Sequence, residues 1–170
     1  MARSSGILAQ GTASAMPFPS KFFHSVIFSP PYYGLRSYHG EQEVAWPRGS
    51  YPIVSSADLL EDRFEDYRPF AEVPAMTCGL GAEPTIEAYV WHMIIVCREV
   101  WRVLRDDGVL WLNISDSYNG SGGAGGDYNE GGLKEGQPKY PGRSLEYLKP
   151  GDLLGVPWRL AFALQAFGWT

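Results

Sequence analysis

Apolar positions along the chain predict a strand, a long helix and a second strand, in that order. Residues 23–28 form a short apolar, β-branched run that ends at a turn signal, which predicts a buried strand. Over residues 86–105, apolar residues recur at three- and four-residue steps, the pattern of a helix with one buried face. Thr85 is placed to cap the start of this helix, and Asp106-Asp107-Gly108 is placed to end it. Residues 109–115 (VLWLNIS) predict a second buried strand, and strand–helix–strand is typical of a parallel α/β sheet.

Two long segments show no sustained hydrophobic period. Residues 41–83 are rich in acids, proline and glycine, and we expect an excursion from the sheet there, with a short helix near 57–66. Residues 116–150 are polar and glycine-rich, which predicts a long loop. The segment PWRLAFALQAFG then predicts a further helix, with Pro157 in its first turn and Gly168 as its C-terminal stop.

Composition indicates one globular domain with an uneven charge distribution. The chain has 170 residues, of which 45% are hydrophobic and 19% are charged. That length suits a single domain with a real core. The stretch from Glu41 to Glu72 has eight acids and three arginines, and so accounts for the whole net charge of −5. No basic stripe is present, which argues against this chain gripping a nucleic-acid backbone by itself.

The two cysteines, Cys78 and Cys97, show no metal-ligand spacing, and no metal site is predicted from them. Cys97 falls on the apolar face of the predicted helix, which indicates a free buried thiol in a reducing compartment. The N-terminal segment lacks the apolar run of a signal peptide, and no stretch reaches the length of a membrane span. We therefore expect a soluble cytoplasmic protein without a membrane partner.

Two short motifs invite other interpretations. Residues 120–125 (GSGGAG) match the G-x-G-x-x-G pattern, but no helix follows to face a phosphate, so we interpret them as loop. Residues 30–33 (PPYY) match PPxY, a peptide motif that WW domains bind in polyproline form. A non-catalytic interaction module, docking through this motif or through the acidic residues 41–72, stays open as an alternative.

The stretch SPPYYGLRSY, which begins at Ser29, has the residue types needed to activate an amine. An exocyclic amino group on a nucleobase is a poor nucleophile because its lone pair is delocalised into the ring. If two acceptors bind its N–H groups, the amino nitrogen is drawn toward tetrahedral geometry. The Ser29 hydroxyl and the Pro30 carbonyl could be these acceptors, because the rigid Ser-Pro-Pro backbone holds them in place. Tyr32 offers a flat face on which an extruded base could stack. The carboxyl end of a strand is also where ligands collect in open α/β sheets.

This stretch resembles the catalytic motif of the amino-methylating DNA methyltransferases in which the catalytic motif precedes the cofactor motif. The family signature is Ser/Asp/Asn-Pro-Pro-Tyr/Phe/Trp, and SPPYYGLRSY is similar to its SPPYYGLR-Y form. Residues 81–118 and 148–169 are similar to the helix, strand and next block that follow in the family. The likeness covers residues 23–40 and about 81–170, interrupted in the glycine-rich loop.

The resemblance implies a partial Rossmann-like methyltransferase fold, with S-adenosylmethionine as the methyl donor and a flipped base of double-stranded DNA as the substrate. It places the catalytic turn at Ser29, Pro30, Pro31 and Tyr32. It places substrate contacts at Tyr33, Gly34, Arg36, Asp116 and Ser117, although a plain polar turn is equally compatible with the last two. Serine in the first position favours cytosine N4 over adenine N6. Transfer is expected to be direct, without a covalent enzyme intermediate, in a restriction-modification context.

The chain departs from the family pattern because the family's cofactor-binding segment is missing from its sequence. No Asp-Pro-Phe-x-Gly-x-Gly cofactor segment is present, so no cofactor-binding residue is assigned. We expect residues 1–170 to be the N-terminal, catalytic-motif part of one methyltransferase domain. Residues 41–80 would be an acidic, insertion-like segment, and the missing C-terminal half would be a partner. The same turn could also serve an amino group on RNA or on a protein glutamine, which remains an alternative.

Overall fold

The structure, a computed structural model, describes residues 8–34, 43–53, 70–120, 145 and 148–170. Its elements, in chain order, are β1 (Phe23–Phe28), β2 (Val44–Trp46), β3 (Gly49–Pro52), β4 (Phe70–Val73), β5 (Met76–Cys78), α1 (Ile86–Val103), β6 (Leu104–Leu112) and α2 (Val156–Ala166). The fold is therefore mixed α/β, as the hydrophobic pattern predicts.

Strands β1 and β6 pair in parallel on either side of α1 in the chain order, which confirms the predicted strand–helix–strand unit. The ladder is regular from Ser25 opposite Val109 to Phe28 opposite Leu112, but Phe23 lies opposite Leu104. The four residues 105–108 of β6 thus lie opposite a single residue of β1, His24. The helix ends at Val103 rather than at residue 105, and β6 begins at Leu104 because the Asp-Asp-Gly segment forms this irregularity inside the strand. β6 ends at Leu112 rather than at residue 115.

Helix α1 is buried more completely than an amphipathic pattern predicts. Its N-cap is Thr85, as predicted, and the Thr85 hydroxyl accepts a hydrogen bond from the Ala88 backbone N–H at 3.1 Å. From Ile86 to Ile94, all residues except Glu87 are buried. Strands β3, β4 and β6 and helix α2 all contact α1, and this surrounding contact explains burial on more than one face.

The segment predicted to be an irregular excursion contains two antiparallel strand pairs, β2 with β5 and β3 with β4. These strands have three or four residues each, too few to show a period in the sequence. Trp91 on α1 anchors them: its indole N–H donates to the Pro47 carbonyl at 2.9 Å, and its ring occupies the space beside Gly49. The helix predicted near 57–66 lies outside the described residues, as does most of the glycine-rich loop.

The prediction that β1 and β6 are buried strands is wrong for one of their faces. Ile27 is 77% exposed, Trp111 is 62% exposed and Val109 is 50% exposed. Helix α1 packs against β6, and no described element covers the outward face of this two-stranded sheet.

Helix α2 agrees with its prediction, with Pro157 in its first turn and Gly168 at φ +99° just after its end.

Candidate active site

The turn at residues 29–34 leaves β1 at the edge of the sheet where the chain also leaves β6. Ser29 is exposed, and its hydroxyl donates a hydrogen bond to the Tyr32 hydroxyl across 3.3 Å. Because the Ser29 hydroxyl uses its proton in that bond, its lone pairs remain available to accept from an incoming N–H group. The bond also places the Tyr32 side chain beside Ser29.

The two prolines of the turn have different hydrogen-bonding roles. The Pro31 carbonyl accepts a hydrogen bond from the Tyr89 hydroxyl at 3.0 Å. No described residue donates to the Pro30 carbonyl. Burial, reinforced by the charge of Glu83, raises the pKa of Tyr89 above its ordinary value, so the Tyr89 hydroxyl keeps its proton and remains a donor. The helix thus fixes the Pro31 carbonyl, whereas the carbonyl of the buried Pro30 has no donor among the described residues.

A second loop supports the turn from behind. The Gly34 backbone N–H donates to the Gly81 carbonyl at 2.9 Å. Gly81 has φ +90°, and a Cβ added there would lie 3.0 Å from the Tyr32 carbonyl oxygen and 3.1 Å from the Pro31 Cβ. Only glycine combines this backbone conformation with so close an approach. Sequence reasoning placed Gly81 in a similar block but did not identify this role.

Tyr33 belongs to the core. Its side chain is 3% exposed, and its ring centroid lies 5.7 Å from that of Tyr89. The side chain therefore has no open face for a substrate, and the predicted substrate contact is corrected to a packing role. Burial follows from the packing of the turn against α1, because the second tyrosine of the pair points toward the helix while Tyr32 remains partly exposed.

Asp116 and Ser117 hold the loop after β6. The Asp116 carboxylate accepts hydrogen bonds from the backbone N–H groups of Ser117, Gly155 and Val156, at 2.9, 2.9 and 3.1 Å. Gly155 at the start of α2 has no capping side chain of its own, so Asp116 caps this helix from a distant part of the chain. The Ser117 hydroxyl donates to the Tyr33 carbonyl at 3.3 Å, which joins this loop to the candidate turn.

Asn119 is a residue that sequence reasoning missed. Its side chain is 2% exposed, accepts from the Leu145 N–H and donates to carbonyls that include that of Leu148, both at 2.7 Å. It therefore anchors the chain as it returns toward α2. Its only sequence signal is a formal glycosylation sequon, which does not point to a buried structural role.

The remaining predicted residues are placed as follows. Gly34 has φ +65° and lies in the turn, whereas Arg36 lies outside the described residues. Cys97 is a buried free thiol, as predicted, and burial raises its pKa to about 12. Among the described residues, neither helix has the length and hydropathy needed to cross a bilayer.

The fold and the turn together define a class: a mixed α/β protein with a Ser-Pro-Pro-Tyr turn, exposed at its serine, at the carboxyl end of a parallel strand. Comparison with curated proteins identifies relatives of the whole segment. The chain is 34% identical to the type II methyltransferase M.SmaI of Serratia marcescens, over 96% of this chain and 43% of that protein. It is also 34% identical to M.XycI of Xanthomonas campestris pv. cyanopsidis and 31% identical to M.Cfr9I of Citrobacter freundii, each over 89% of this chain and 38% of the relative.

The chain is therefore a homologue of type II methyltransferases, as its sequence motifs predict. It spans less than half the length of each of these relatives. No protein-family model and no solved structure matches it.

Proposed function

We propose that this chain provides the catalytic turn of a site-specific type II DNA methyltransferase. The reaction is transfer of a methyl group from S-adenosylmethionine to the exocyclic amino group of a flipped base. Cytosine N4 is favoured over adenine N6, since serine holds the first position of the turn. A restriction-modification context and a cytoplasmic location are parts of the same proposal.

One observation supports this proposal most directly: the arrangement of Ser29, Pro30 and Tyr32. An exposed hydroxyl with open lone pairs lies one residue before a carbonyl that no described group occupies, and an aromatic ring lies beside them. Both oxygens belong to a turn whose backbone is restrained by two prolines, by Tyr89 and by the Gly81 loop. Because these acceptors are already held in position, no free energy is spent on orienting them during the reaction. Preorganised polar groups of this kind stabilise the charge that develops in a transition state.

The proposed mechanism uses these groups as acceptors. The Ser29 hydroxyl and the Pro30 carbonyl would each accept one N–H of the amino group and turn the nitrogen lone pair away from the ring. Tyr32 would stack against the base and hold it out of the duplex. No cysteine nucleophile is required, and Cys97 is unsuited to that role because its buried thiol remains protonated.

The described residues do not form a site for the methyl donor. When bound, S-adenosylmethionine would supply a methyl group made electrophilic by a sulfonium sulfur. A glycine-rich turn that binds a nucleotide-like cofactor normally connects a strand directly to the N-terminus of a helix. Neither the turn after β1 nor the turn after β6 leads directly into a helix. We therefore assign no residue to the donor and derive no step through it.

The uncovered sheet face supports a further part of the methyltransferase domain as the partner of this segment. Ile27, Val109 and Trp111 form an apolar surface on β1 and β6. Beside it, a groove of about 380 Å³ lies between β6 and α2 and is lined by residues that include Leu110, Leu160 and Leu164. A contiguous exposed apolar surface is typical of an interface, and a two-stranded sheet alone is marginally stable. The curated relatives are long enough to supply the covering strands and the donor site.

The experiment is methyl transfer by the full-length protein with a labelled donor, offering DNA, RNA and a glutamine-containing protein in parallel. Labelled DNA with methyl groups on an exocyclic nitrogen is the expected result. Ser29→Ala is expected to lose most turnover while donor affinity changes little, and Thr77→Ala, which removes an exposed hydroxyl on β5, is the matched control. Undiminished transfer by Ser29→Ala would contradict the catalytic assignment, and transfer to RNA or protein alone would contradict the DNA substrate.

The structure argues against the PPxY alternative. A WW ligand must be extended and accessible, whereas Pro30 is buried and Tyr33 is 3% exposed. Binding of a WW domain to the folded chain would overturn this argument.

A further inference from the structure

A buried carboxylate supports the Gly81 loop (residues 79–85), which connects β5 to α1. Glu83 is 0% exposed, and its two oxygens bond to two different groups. Oε2 accepts from the Gly81 backbone N–H at 2.8 Å, and Oε1 lies 2.9 Å from Nδ1 of His92, in the second turn of α1. Burying a carboxylate is costly unless its oxygens are satisfied, so the positions of Gly81 and His92 are tied to that of Glu83.

His92 orients this carboxylate as a hydrogen-bond donor. A carboxylate only accepts, so Nδ1 has the proton in the bond to Glu83. Nε2 is buried and has no partner among the described residues. An unpaired lone pair is tolerated more often than an unpaired N–H, so the neutral ring with its proton on Nδ1 fits this site. The ring of Trp46 stacks on the imidazole with centroids 4.2 Å apart, which holds the donor in place.

The Gly81 loop transmits this restraint to the candidate catalytic turn. The Gly81 carbonyl accepts from the Gly34 N–H at 2.9 Å, so the two polar backbone groups of Gly81 bond to Glu83 and to the turn. The approach is close, because a Cβ added to Gly81 would lie 3.0 Å from the Tyr32 carbonyl oxygen. Movement of the Gly81 loop would therefore also move the turn that contains Ser29.

A second connection between Glu83 and the turn is electrostatic. Burial, with the charge of Glu83 as the next contribution, raises the pKa of Tyr89, so the Tyr89 hydroxyl keeps its proton. That hydroxyl donates to the Pro31 carbonyl at 3.0 Å. Glu83 thus acts on two contacts that hold the turn from behind: Gly34 with Gly81, and Tyr89 with Pro31.

We propose that Glu83, oriented by His92, is a positioning residue for methyl transfer, and that this pair sets the places of the Ser29 hydroxyl and the Pro30 carbonyl. The inference rests on the proposed function of the turn. Because both side chains are fully buried, they act through the backbone of the Gly81 loop and not on the base itself. A displacement of about 1 Å caused far from the chemistry can cost about 100-fold in rate, so the effect is measurable.

Two substitutions of His92 separate its donor from its bulk. An asparagine side chain has its N–H group on the atom bonded to Cγ, as histidine has Nδ1, so His92→Asn can still donate to Glu83. Leucine is similar in size to asparagine and has no donor, so His92→Leu removes this partner from the buried carboxylate. Both variants lose the ring that stacks on Trp46, so a difference between them reports the hydrogen bond.

The first measurement is amide hydrogen exchange in the full-length protein labelled with ¹⁵N-glycine. The amide of Gly81 reports the bond to Glu83, and the amide of Gly34 reports the bond to Gly81. In His92→Leu both amides are expected to exchange about tenfold faster than in the wild type, because the loop opens locally. His92→Asn should restore the wild-type exchange.

The second measurement is methyl transfer to DNA. His92→Leu is expected to lower kcat by about 10- to 100-fold with little change in KM for the methyl donor, because the turn is displaced. His92→Asn should recover most of kcat. Val100→Ala, which removes methyl groups from a buried site further along α1, is the matched control for lost stability. It should leave kcat and both exchange rates of the folded enzyme near those of the wild type.

Equal kcat and equal exchange in His92→Asn and His92→Leu would overturn the proposal. If His92→Leu does not fold, Glu83→Gln replaces it. An amide has one acceptor oxygen, so it satisfies Gly81 and His92 together only if the imidazole proton moves to Nε2, where no described acceptor lies. Faster exchange at Gly34 and Gly81 in folded Glu83→Gln supports the proposal, and unchanged exchange overturns it. Because the exchange measurement uses neither DNA nor methyl donor, a wild type without methyl transfer would contradict only the proposed function.

Discussion

The Tyr89 hydroxyl donates a 3.0 Å hydrogen bond to the carbonyl of Pro31. This bond connects the first turns of α1 to the turn after β1, two elements that are distant in the sequence. Its donor is a phenol whose pKa is raised by burial, so the bond persists at alkaline pH where an exposed tyrosine would ionise. The orientation of the candidate catalytic turn therefore depends on the helix behind it.

Replacing Tyr89 by phenylalanine should loosen that connection. We expect the free energy of unfolding to fall by about 1 kcal/mol, because the half-buried Pro31 carbonyl loses its donor while the ring remains. The wild-type chain should lose stability as the pH rises above 10, since the unfolded state then releases the phenol proton while the folded state retains it. Denaturant unfolding at several pH values checks both effects. If the unfolding free energy of Tyr89→Phe fell as steeply above pH 10 as that of the wild type, Tyr89 would not be the source of the alkaline instability.

Gly81→Ala should be more damaging than Gly151→Ala. The two glycines have nearly the same backbone conformation, with φ +90° and φ +89°, but an added Cβ meets the turn at Gly81 and nothing within 4 Å at Gly151. Gly151→Ala is expected to cost about 1–2 kcal/mol of left-handed strain. Gly81→Ala should cost that strain plus displacement of the turn, with a further loss of methyl transfer. Equal unfolding free energies for the two variants would show that the close approach is unimportant.

Asp116→Ala should destabilise the chain through α2. Loss of a side-chain cap costs about 0.5–2 kcal/mol, and here three backbone N–H groups lose their acceptor together. Asp116→Asn keeps one oxygen acceptor and should lie between wild type and Asp116→Ala. Thermal unfolding followed by circular dichroism measures the order of the three proteins. A fully stable Asp116→Ala that has lost only methyl transfer would instead support the predicted role at the substrate.

Acid should weaken the attachment of the N-terminal segment to α1. Glu99 accepts from Arg102 and from the Met16 backbone N–H, and the hydrogen bond from Arg102 lowers the Glu99 pKa below 4.5. As the pH falls below that value, the unfolded state takes up a proton before the folded state does, so stability decreases. Glu99→Gln should flatten this part of the pH profile, with Glu72→Gln on β4 as the exposed control. A profile unchanged by Glu99→Gln would contradict this origin of the acid sensitivity.

Sequence alone determined the local elements and the candidate chemistry. The bounds of β1, the Thr85 cap, Pro157 in the first turn of α2 and the glycine stop at Gly168 were all predictable. Each depends on interactions within a few residues or on a hydrophobic period that repeats along one element. The Ser-Pro-Pro-Tyr turn was recognisable for the same reason, because its residues are adjacent in the chain.

Tertiary structure decided which of these side chains pack in the core, which cap a helix and which remain exposed at the candidate site. Three features join residues from different elements: the burial of Tyr33, the cap that Asp116 provides for α2, and the close approach at Gly81. Even the burial of β1 depended on what packs against it, since one face of the sheet remains exposed. Hydrophobic period and capping are local in the sequence, whereas these contacts exist only after the chain has folded back on itself.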